Sequence, residues 1–283
     1  MKRDIALLKK IDSIVNAEVF VFDVAVEKNL NELDTLLASG CLIKWFDHHV
    51  SDTVPKHENF CSWINTNPAV NTSYLVGQFL EKTSPWAIVG LCGDNVFETA
   101  ESLANEFNLN AEQFALLKEM GELFNYNGYG ETTEDLHIDP AEILDSMKSY
   151  ENPLSYLKQT SIVEQLRNGL EEDLIKADNA HKVSNNVYIF QDEKWARRVV
   201  GVFANRKIKD NPDIPCSVLV EKDGGKSYVV SVRSPLNSDK SAAELCKKFT
   251  TGGGRVKAAG INDLPREELT AYIDQFQSFY STN

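Results

Sequence analysis

The chain has 283 residues, of which 42% are hydrophobic and 25% charged, a composition typical of a globular protein long enough for two domains. The formal net charge of −13 disfavours non-specific binding to duplex nucleic acid, which requires a broad basic surface. It still permits a small basic pocket for a short phosphorylated substrate. No apolar run approaches the roughly 18 residues of a membrane span, and the start lacks the continuous apolar segment of a signal peptide.

The cysteines are scattered along the chain, and none belongs to a Cys-x-x-Cys pair: Cys41, Cys61, Cys92, Cys216 and Cys246. Their odd number and wide spacing argue against a disulfide framework and against a thiolate zinc site. We therefore expect free thiols in a reducing cytoplasm.

The first elements combine a helical pattern with an acid-bearing strand. The chain begins with apolar residues at helical spacing: Ile5, Leu8, Ile11, Ile14 and Val15. They predict an amphipathic helix, and the apolar run from 18 to 26 that follows predicts a strand. Asp23 lies within this run, where a carboxylate is costly to bury unless it is paired or ligates a metal. Asp23 is therefore a candidate ligand; the alternative is a residue that caps the turn after the strand.

The next strand delivers an acid and two imidazoles at its end. A leucine-rich helix ending at Gly40 leads into a strand that finishes in Asp47-His48-His49. The alternation of helix and strand predicts right-handed crossovers and a parallel sheet, in which strand ends share one edge. Imidazole nitrogens beside a carboxylate suit Mn, Fe or Zn. The alternative is a buried strand that ends in an ordinary polar turn.

A third acid follows a further apolar segment. Ser84-Pro85 predicts the start of a helix over 86–92, and Asp94 lies at its exit. Gly93 and Asn95 flank this aspartate, so an ordinary turn residue is the alternative reading.

The remainder of the first half is predicted to be mostly helical. We expect a short strand at 60–65, a helix at 71–80 with Phe79 facing inward, helices between 97 and 127, and a loop at 125–130. Leu116, Met120 and Leu123 are expected to face inward. The acidic stretch 131–139 predicts a solvated face, and we do not expect His137 within it to be a ligand.

In the second half of the chain, apolar residues recur with the period of two that is typical of strands. Residues 155–182 predict a long charged helix, which we take as a connector between a first domain, 1–154, and a second, 183–283. Strands are predicted at 186–190, 199–203, 216–220 and 227–233, with a hairpin turn at 223–225, a short helix at 242–249 and a final helix at 265–280.

A glycine run near the end suggests an anion site. Gly252, Gly253 and Gly254 would let backbone amides approach an anion closely, and Arg255 adds a planar cationic fork. A flexible turn is the alternative. Arg233, at the end of a predicted strand, is expected to face the same pocket; its alternative is a surface residue paired with an acid.

Asp47-His48-His49 and the run Gly252-Gly253-Gly254-Arg255-x-x-Ala258-Ala259-Gly260, roughly 200 residues later, together resemble the DHH phosphoesterases that carry a DHHA1 domain. That family includes RecJ-like single-strand exonucleases, oligoribonuclease/phosphatases and cyclic-dinucleotide phosphodiesterases. The resemblance covers nearly the whole chain. It implies an α/β protein with a parallel-sheet DHH domain and a smaller mixed α/β DHHA1 domain.

The resemblance also implies roles for individual residues. Asp23, His48 and Asp94 would be metal ligands, with Asp23 bridging; Asp47 would support the cluster, and His49 would face the scissile phosphate. The glycine run would be the substrate-binding loop of the second domain. The implied reaction is manganese-dependent hydrolysis of a phosphoester in a short oligonucleotide, a dinucleotide or a small phosphoester.

Two departures from the family pattern stand out. Arg255 occupies a position where members usually have histidine, and no Asp-x-Asp motif precedes Asp23. Two-metal phosphoesterase sites depend on such carboxylates. Three explanations follow: a shortened or misassigned start of an ordinary hydrolase, a fragment completed by another polypeptide, or a protein that binds nucleotides without cleaving them. We favour the first, because the remaining ligands are intact. An incomplete sheet would also favour association of the chain into a homo-oligomer.

Overall fold

The computed structural model describes residues 5–51 and 53–281. It divides into two compact units, the first formed by Met1–Gly128 and Ile138–Leu166 and the second by Tyr129–His137 and Arg167–Asn283. The fold is α/β, as predicted, with a parallel three-stranded sheet and a mixed six-stranded sheet. Within the described ranges, no helix combines the length and the apolarity that crossing a bilayer requires.

The first unit consists of a small parallel sheet and short helices. Its elements are β1 (Glu18–Phe22), α1 (Leu30–Ala38), β2 (Leu42–Asp47), β3 (Phe60–Ile64), α2 (Thr72–Phe79), α3 (Trp86–Gly93), α4 (Phe97–Glu106), α5 (Ala111–Asn127), α6 (Pro140–Met147) and α7 (Pro153–Leu157). β2 lies between β1 and β3, and both pairings are parallel. The carboxyl ends of all three strands therefore meet at one edge of the sheet.

The two faces of this sheet bury different side chains. On one face, Val21, Ile43 and Trp45 pack in a core with the leucines of α1. On the other, the ring of Phe46 stacks between those of Phe22 and Trp63, with centroid distances of 5.4 and 4.7 Å. The alternation follows the period of two along a strand, and it fixes which residues point into the core.

The second unit contains the mixed sheet. Its elements are most of α8 (Ile162–Asp178), then β4 (His181–Ser184), β5 (Val187–Phe190), α9 (Lys194–Asp210), β6 (Cys216–Lys222), β7 (Ser227–Arg233), α10 (Ala242–Cys246), β8 (Gly252–Gly254), β9 (Ala258–Pro265) and α11 (Leu269–Tyr280). The strand order is β4-β5-β6-β7-β9-β8, and β5 and β6 are the parallel pair. Tyr272 and Phe276 of α11 are buried in the core against this sheet.

Two predicted elements are wrong. The expected helix at the start is a single 3-10 turn, Leu7–Lys10, and the N–H of Leu8 donates to Asn29 Oδ1 at 3.1 Å. The expected strand at 199–203 is part of α9. Its β-branched residues resemble a strand in a short window, whereas the buried residues of α9 recur along its whole length at helical spacing.

Smaller errors concern the helices of the first unit. α5 continues to Asn127, so the loop expected from 125 begins three residues later. Leu116 is 39% exposed rather than inward-facing, whereas Met120 and Leu123 are buried as predicted. Phe79 is 41% exposed, but its ring faces inward and packs against Phe46 and Trp63.

The acidic stretch 131–139 is solvated only in part, since 131–134, His137 and Asp139 are exposed. Asp135 is buried, and its carboxylate accepts two hydrogen bonds of 2.9 Å from Arg197. The neighbouring Arg198 binds Asp173 through a two-pronged pair at 2.8 and 2.9 Å, and it also donates to the carbonyl of Asp135. His137 Nε2 lies 3.6 Å from Asp173 Oδ2. These contacts explain why 129–137 belongs to the second unit.

The buried pair of Arg198 and Asp173 predicts a large stability effect. Replacing Arg198 with leucine leaves a buried carboxylate without its cation, which costs about 3–5 kcal/mol of unfolding free energy. The matched control is Arg206→Leu on the same helix, which breaks a half-exposed pair with Asp178 and costs about 0–1 kcal/mol. Urea unfolding of both variants measures the difference, and equal losses would contradict this account of the unit.

Candidate metal centre

Asp23 follows β1 directly and lies at the sheet edge. Its backbone N–H donates to the carbonyl of Phe46 at 2.9 Å, so the residue still pairs with β2. Its φ of +59° lies in the left-handed region, which aspartate tolerates better than most residues. The carboxylate accepts a hydrogen bond from Thr72 Oγ1 at 2.8 Å, and its Oδ1 lies 3.3 Å from His48 Nε2.

Asp47, His48 and His49 form the end of β2 and the turn after it. Asp47 is fully buried, and its Oδ1 accepts a hydrogen bond of 2.7 Å from His49 Nδ1. His48 Nδ1 lies 3.1 Å from the carbonyl of Val70, which can only accept, so this nitrogen carries the proton. Both rings are therefore held through Nδ1, and His48 Nε2 lies beside the carboxylate of Asp23.

The structure brings three of the predicted site residues together. Ligand atoms of Asp23, His48 and His49 all lie within 4.8 Å of one another. Asp94, the C-cap of α3, lines the same cavity of about 520 Å³ but is not one of this trio. Its Oδ2 accepts a hydrogen bond of 3.0 Å from Asn71 Nδ2.

The acidic and basic groups of the centre stabilise one another's charged forms, as their pKa values show. Burial opposes ionisation of Asp23, but hydrogen bonds from His48 and Thr72 outweigh it, so the pKa of Asp23 lies below its ordinary value. The hydrogen bond to Asp23 raises the pKa of His48 despite partial burial, and Asp47 raises the pKa of His49 in the same way. The centre is therefore built to hold positive charge.

The residues present fit a divalent cation. One carboxylate and two imidazoles, with a second carboxylate lining the cavity, form a mixed oxygen and nitrogen donor set that suits Mn²⁺, Fe²⁺ or Zn²⁺. Asp47 Oδ2 is buried without a hydrogen-bond partner. This uncompensated carboxylate oxygen adds negative potential directly behind His49, which favours a cation in front of it.

Sequence reasoning missed the two polar residues that open α2. Asn71 caps the helix by accepting from the N–H of Tyr74 at 3.1 Å, and it also orients Asp94. Thr72 orients Asp23. A helix-capping Asn next to Thr is visible in the sequence, but its contact with two distant aspartates depends on tertiary structure.

The glycine run is a short strand rather than an open loop. β8 pairs antiparallel with β9, and an added Cβ at Gly252 would lie 1.7 Å from the carbonyl oxygen of Cys246. At Gly254, φ is +136° and an added Cβ would lie 2.5 Å from the Cα of Ala259. Close backbone packing therefore requires glycine at both positions. The expected role in anion binding stays a prediction.

Arg233 is not the acid-paired surface residue of the alternative reading. Its guanidinium donates to the neutral oxygens of Asn205 at 2.7 Å and Ser231 at 3.0 Å. Burial lowers the pKa of Arg233; Tyr129 and Cys216 oppose this shift, and the nearby charge of Arg255 adds to it. Two arginines close enough to repel each other create a local positive potential.

Comparison with known proteins identifies the architecture. No protein-family model and no curated protein matches the chain. Among solved structures, the DHH domain of a protein assigned to a family of ribosomal proteins superposes with a TM-score of 0.60 at 14% identity, covering 92% of this chain and 68% of that one. The chain has the DHH fold. Exonuclease RecJ bound to manganese also matches this DHH fold, with a TM-score of 0.50 at 15% identity over 94% of this chain and 76% of that one.

A further match is RecJ from Thermus thermophilus in complex with Mn²⁺, with a TM-score of 0.50 at 15% identity over 93% of this chain and 45% of that one. At such low identity the likeness establishes the DHH fold and not the reaction.

The raised histidine pKa values predict a specific titration. In metal-free protein, each histidine stabilises the fold below its unfolded pKa, and this contribution is lost as pH rises through the raised folded value. Asp23 behaves oppositely, because its pKa is lowered in the folded protein. Its contribution to stability is present above the unfolded pKa and is lost as pH falls through the folded value. NMR titration of the imidazoles measures the pKa values of His48 and His49. Asp23→Asn is expected to lower the pKa of His48 and to leave the hydrogen bond between His49 and Asp47 intact. An unchanged pKa of His48 would contradict the pairing of His48 with Asp23.

Proposed function

We propose that the chain is a divalent-metal-dependent phosphoesterase that cleaves phosphodiester or phosphomonoester bonds of short nucleotide-type substrates. The observation that carries this proposal is the convergence of Asp23, His48 and His49 within 4.8 Å at the carboxyl edge of a parallel sheet. The DHH fold, which exonuclease RecJ bound to manganese shares, supports it.

Asp23, His48 and Asp94 are proposed to hold the cation, with manganese as the preferred ion. When bound, the cation supplies Lewis-acid polarisation of a phosphoryl oxygen and neutralises charge in the transition state. Thr72 and Asn71 each bind one of these aspartates. Such outer contacts hold ligands in place and are a general requirement of metal sites.

His49 is proposed to contact the scissile phosphate. Asp47 holds its Nδ1, so Nε2 can donate a proton to a phosphoryl or leaving oxygen. The raised pKa keeps this proton on the ring at higher pH than in a free histidine. Asp47 thus acts through His49, by fixing the ring and by stabilising its charged form.

In the second unit, Arg233, Arg255 and the run Gly252, Gly253 and Gly254 are proposed to bind the anionic end of the substrate. The mutual proximity of the two arginines supports this role, because an anion would relieve their repulsion. Arg255 is exposed, whereas Arg233 is held by Asn205 and Ser231, so the first is adaptable and the second is fixed.

A second candidate function is nucleotide binding without cleavage. Within the described ranges, the convergent trio contains one carboxylate, and this supports one cation more readily than two. Two-metal sites place a cation on each side of the displacement. Measuring binding and hydrolysis separately distinguishes the two functions.

His49→Ala is expected to reduce hydrolysis on the order of 10²-fold or more, because a positioned proton donor contributes that much. The assay is Mn²⁺-dependent release of mononucleotide from a dinucleotide. His57→Ala is the matched control, since this exposed histidine accepts a local hydrogen bond from the N–H of Asn59. Hydrolysis that survives the loss of His49, but not of His57, would reject the assignment.

Arg255→Met is expected to raise the KM for a substrate with a terminal phosphate and to leave kcat within about twofold, since it removes a contact with the anionic end of the substrate and not with the reacting bond. Lys247→Met, which removes an exposed cation on the same unit, is the control. A fall in kcat at unchanged KM would show that Arg255 does not act in binding.

A further inference from the structure

Arg233, at the end of β7, is a half-buried cation that is held by neutral groups alone. Its Nε donates to Asn205 Oδ1 at 2.7 Å, and its Nη1 donates to Ser231 Oγ at 3.0 Å and to the carbonyl of Val232 at 3.1 Å. Among the residues that the structure describes, no carboxylate pairs with this guanidinium. Proteins usually pair a charge that is taken out of water with an opposite charge. Arg233 therefore carries a charge that an anionic ligand can compensate.

The hydrogen bonds leave one nitrogen of Arg233 for a ligand. The Nε–H and both N–H groups of Nη1 are engaged with Asn205, Ser231 and Val232. Within the described ranges, only the N–H groups of Nη2 remain without an acceptor. Arg233 thus offers a ligand one nitrogen, and not the two-nitrogen fork that pairs in parallel with a carboxylate.

Gly201 leaves the space beside this nitrogen open. Gly201 and Asn205 lie one turn apart on α9, so both face the guanidinium of Arg233. Apart from the adjacent chain and the helix backbone, a Cβ added at Gly201 would meet one described atom, Arg233 Nη2, at 3.9 Å. Asn205 therefore fixes one end of the guanidinium, and the absence of a side chain at Gly201 keeps the other end accessible.

The neutrality of Asn205 is as important as its position. A carboxylate in the same place would accept the same hydrogen bond and would also cancel the charge of Arg233. Asparagine has nearly the same shape and leaves that charge uncompensated. The nearby cation Arg255 adds to the positive potential. The local arrangement is thus suited to holding an arginine in place while preserving its charge.

We propose that Asn205 is a positioning residue, which holds Arg233 without cancelling its charge so that Nη2 binds one oxygen of a phosphate group. The exposed Arg255 contacts a second oxygen of the same group. A tetrahedral phosphate directs its oxygens towards different donors, whereas a planar carboxylate pairs best with an intact fork. That this phosphate is the anionic end of the substrate rests on the proposed function; the binding of phosphate to Arg233 does not.

The experiment is titration of the full-length, metal-free protein with inorganic phosphate, followed by NMR at the Nε–H signal of Arg233. Asn205→Asp is expected to weaken phosphate binding at least about 10-fold, because the new carboxylate competes for the charge of the guanidinium. Asn168→Asp is the matched control, since it adds the same charge at an exposed position of α8, and phosphate binding is expected to be unchanged.

This comparison separates positioning from a merely structural role. If Asn205 only stabilised the fold, aspartate would replace it without loss of phosphate binding, because a carboxylate also accepts the Nε–H of Arg233. Equal phosphate affinity of Asn205→Asp and Asn168→Asp would therefore overturn the proposal. A wild-type Arg233 signal that phosphate does not shift would overturn it as well.

Two variants of Gly201 test the role of Nη2. Gly201→Ala adds a Cβ at an ordinary contact distance from Nη2, 3.9 Å, and is expected to leave phosphate binding unchanged. Gly201→Asp brings a carboxylate to Nη2 and is expected to weaken phosphate binding at least about 10-fold. Phosphate binding that is equal in both variants would show that the ligand does not bind at Nη2.

The two proposals fail separately. Phosphate binding at Arg233 that depends on Asn205, without hydrolysis of any phosphoester, would reject the proposed function and keep the role of Asn205. Hydrolysis that depends on His49, with phosphate binding unaffected by Asn205→Asp, would reject the role of Asn205 and keep the proposed function.

Discussion

The parallel pairing of β1 with β2 is the constraint on which the candidate centre depends. The register Phe22↔Phe46 and the hydrogen bond from the Asp23 N–H to the Phe46 carbonyl place the two strand ends side by side. A slip of one residue would turn every side chain of β1 to the opposite face. Burial of Val21, on the face that packs against α1, opposes such a slip. The hydrophobic core thus fixes the distance between a carboxylate and an imidazole that are 25 residues apart in the sequence.

The electrostatics of the centre and of the whole chain fit together. A chain with net charge −13 repels phosphorylated molecules, so a phosphate site must collect positive charge locally. The first unit does so with carboxylates that raise histidine pKa values and favour a cation. The second does so with two neighbouring arginines, one of which is fixed by neutral hydrogen bonds. On the proposed function, each unit would offer a phosphate a different kind of positive charge.

Much of the first unit could be predicted from sequence, because each strand there is a short apolar run that ends in an acid or an amide. The parallel sheet and the proximity of Asp23 to His48 follow from that pattern alone. The 199–203 error shows the limit, since a five-residue window cannot separate a strand from one face of a buried helix. Asp135 shows a second limit of sequence-based prediction. Its burial depends on Arg197, 62 residues away, and no local pattern reveals that contact. The glycine run is visible in the sequence, but its close contacts with α10 and β9 exist only in the folded chain.

The central claim is that Asp23, His48 and Asp94 share one cation with His49 beside it. Anomalous diffraction at the manganese edge, from crystals soaked in Mn²⁺, tests it most directly. The account predicts a peak within bonding distance of a carboxylate oxygen of Asp23 and the Nε2 of His48. A manganese ion bound only elsewhere in the protein, with this cavity empty at saturating concentration, would contradict it.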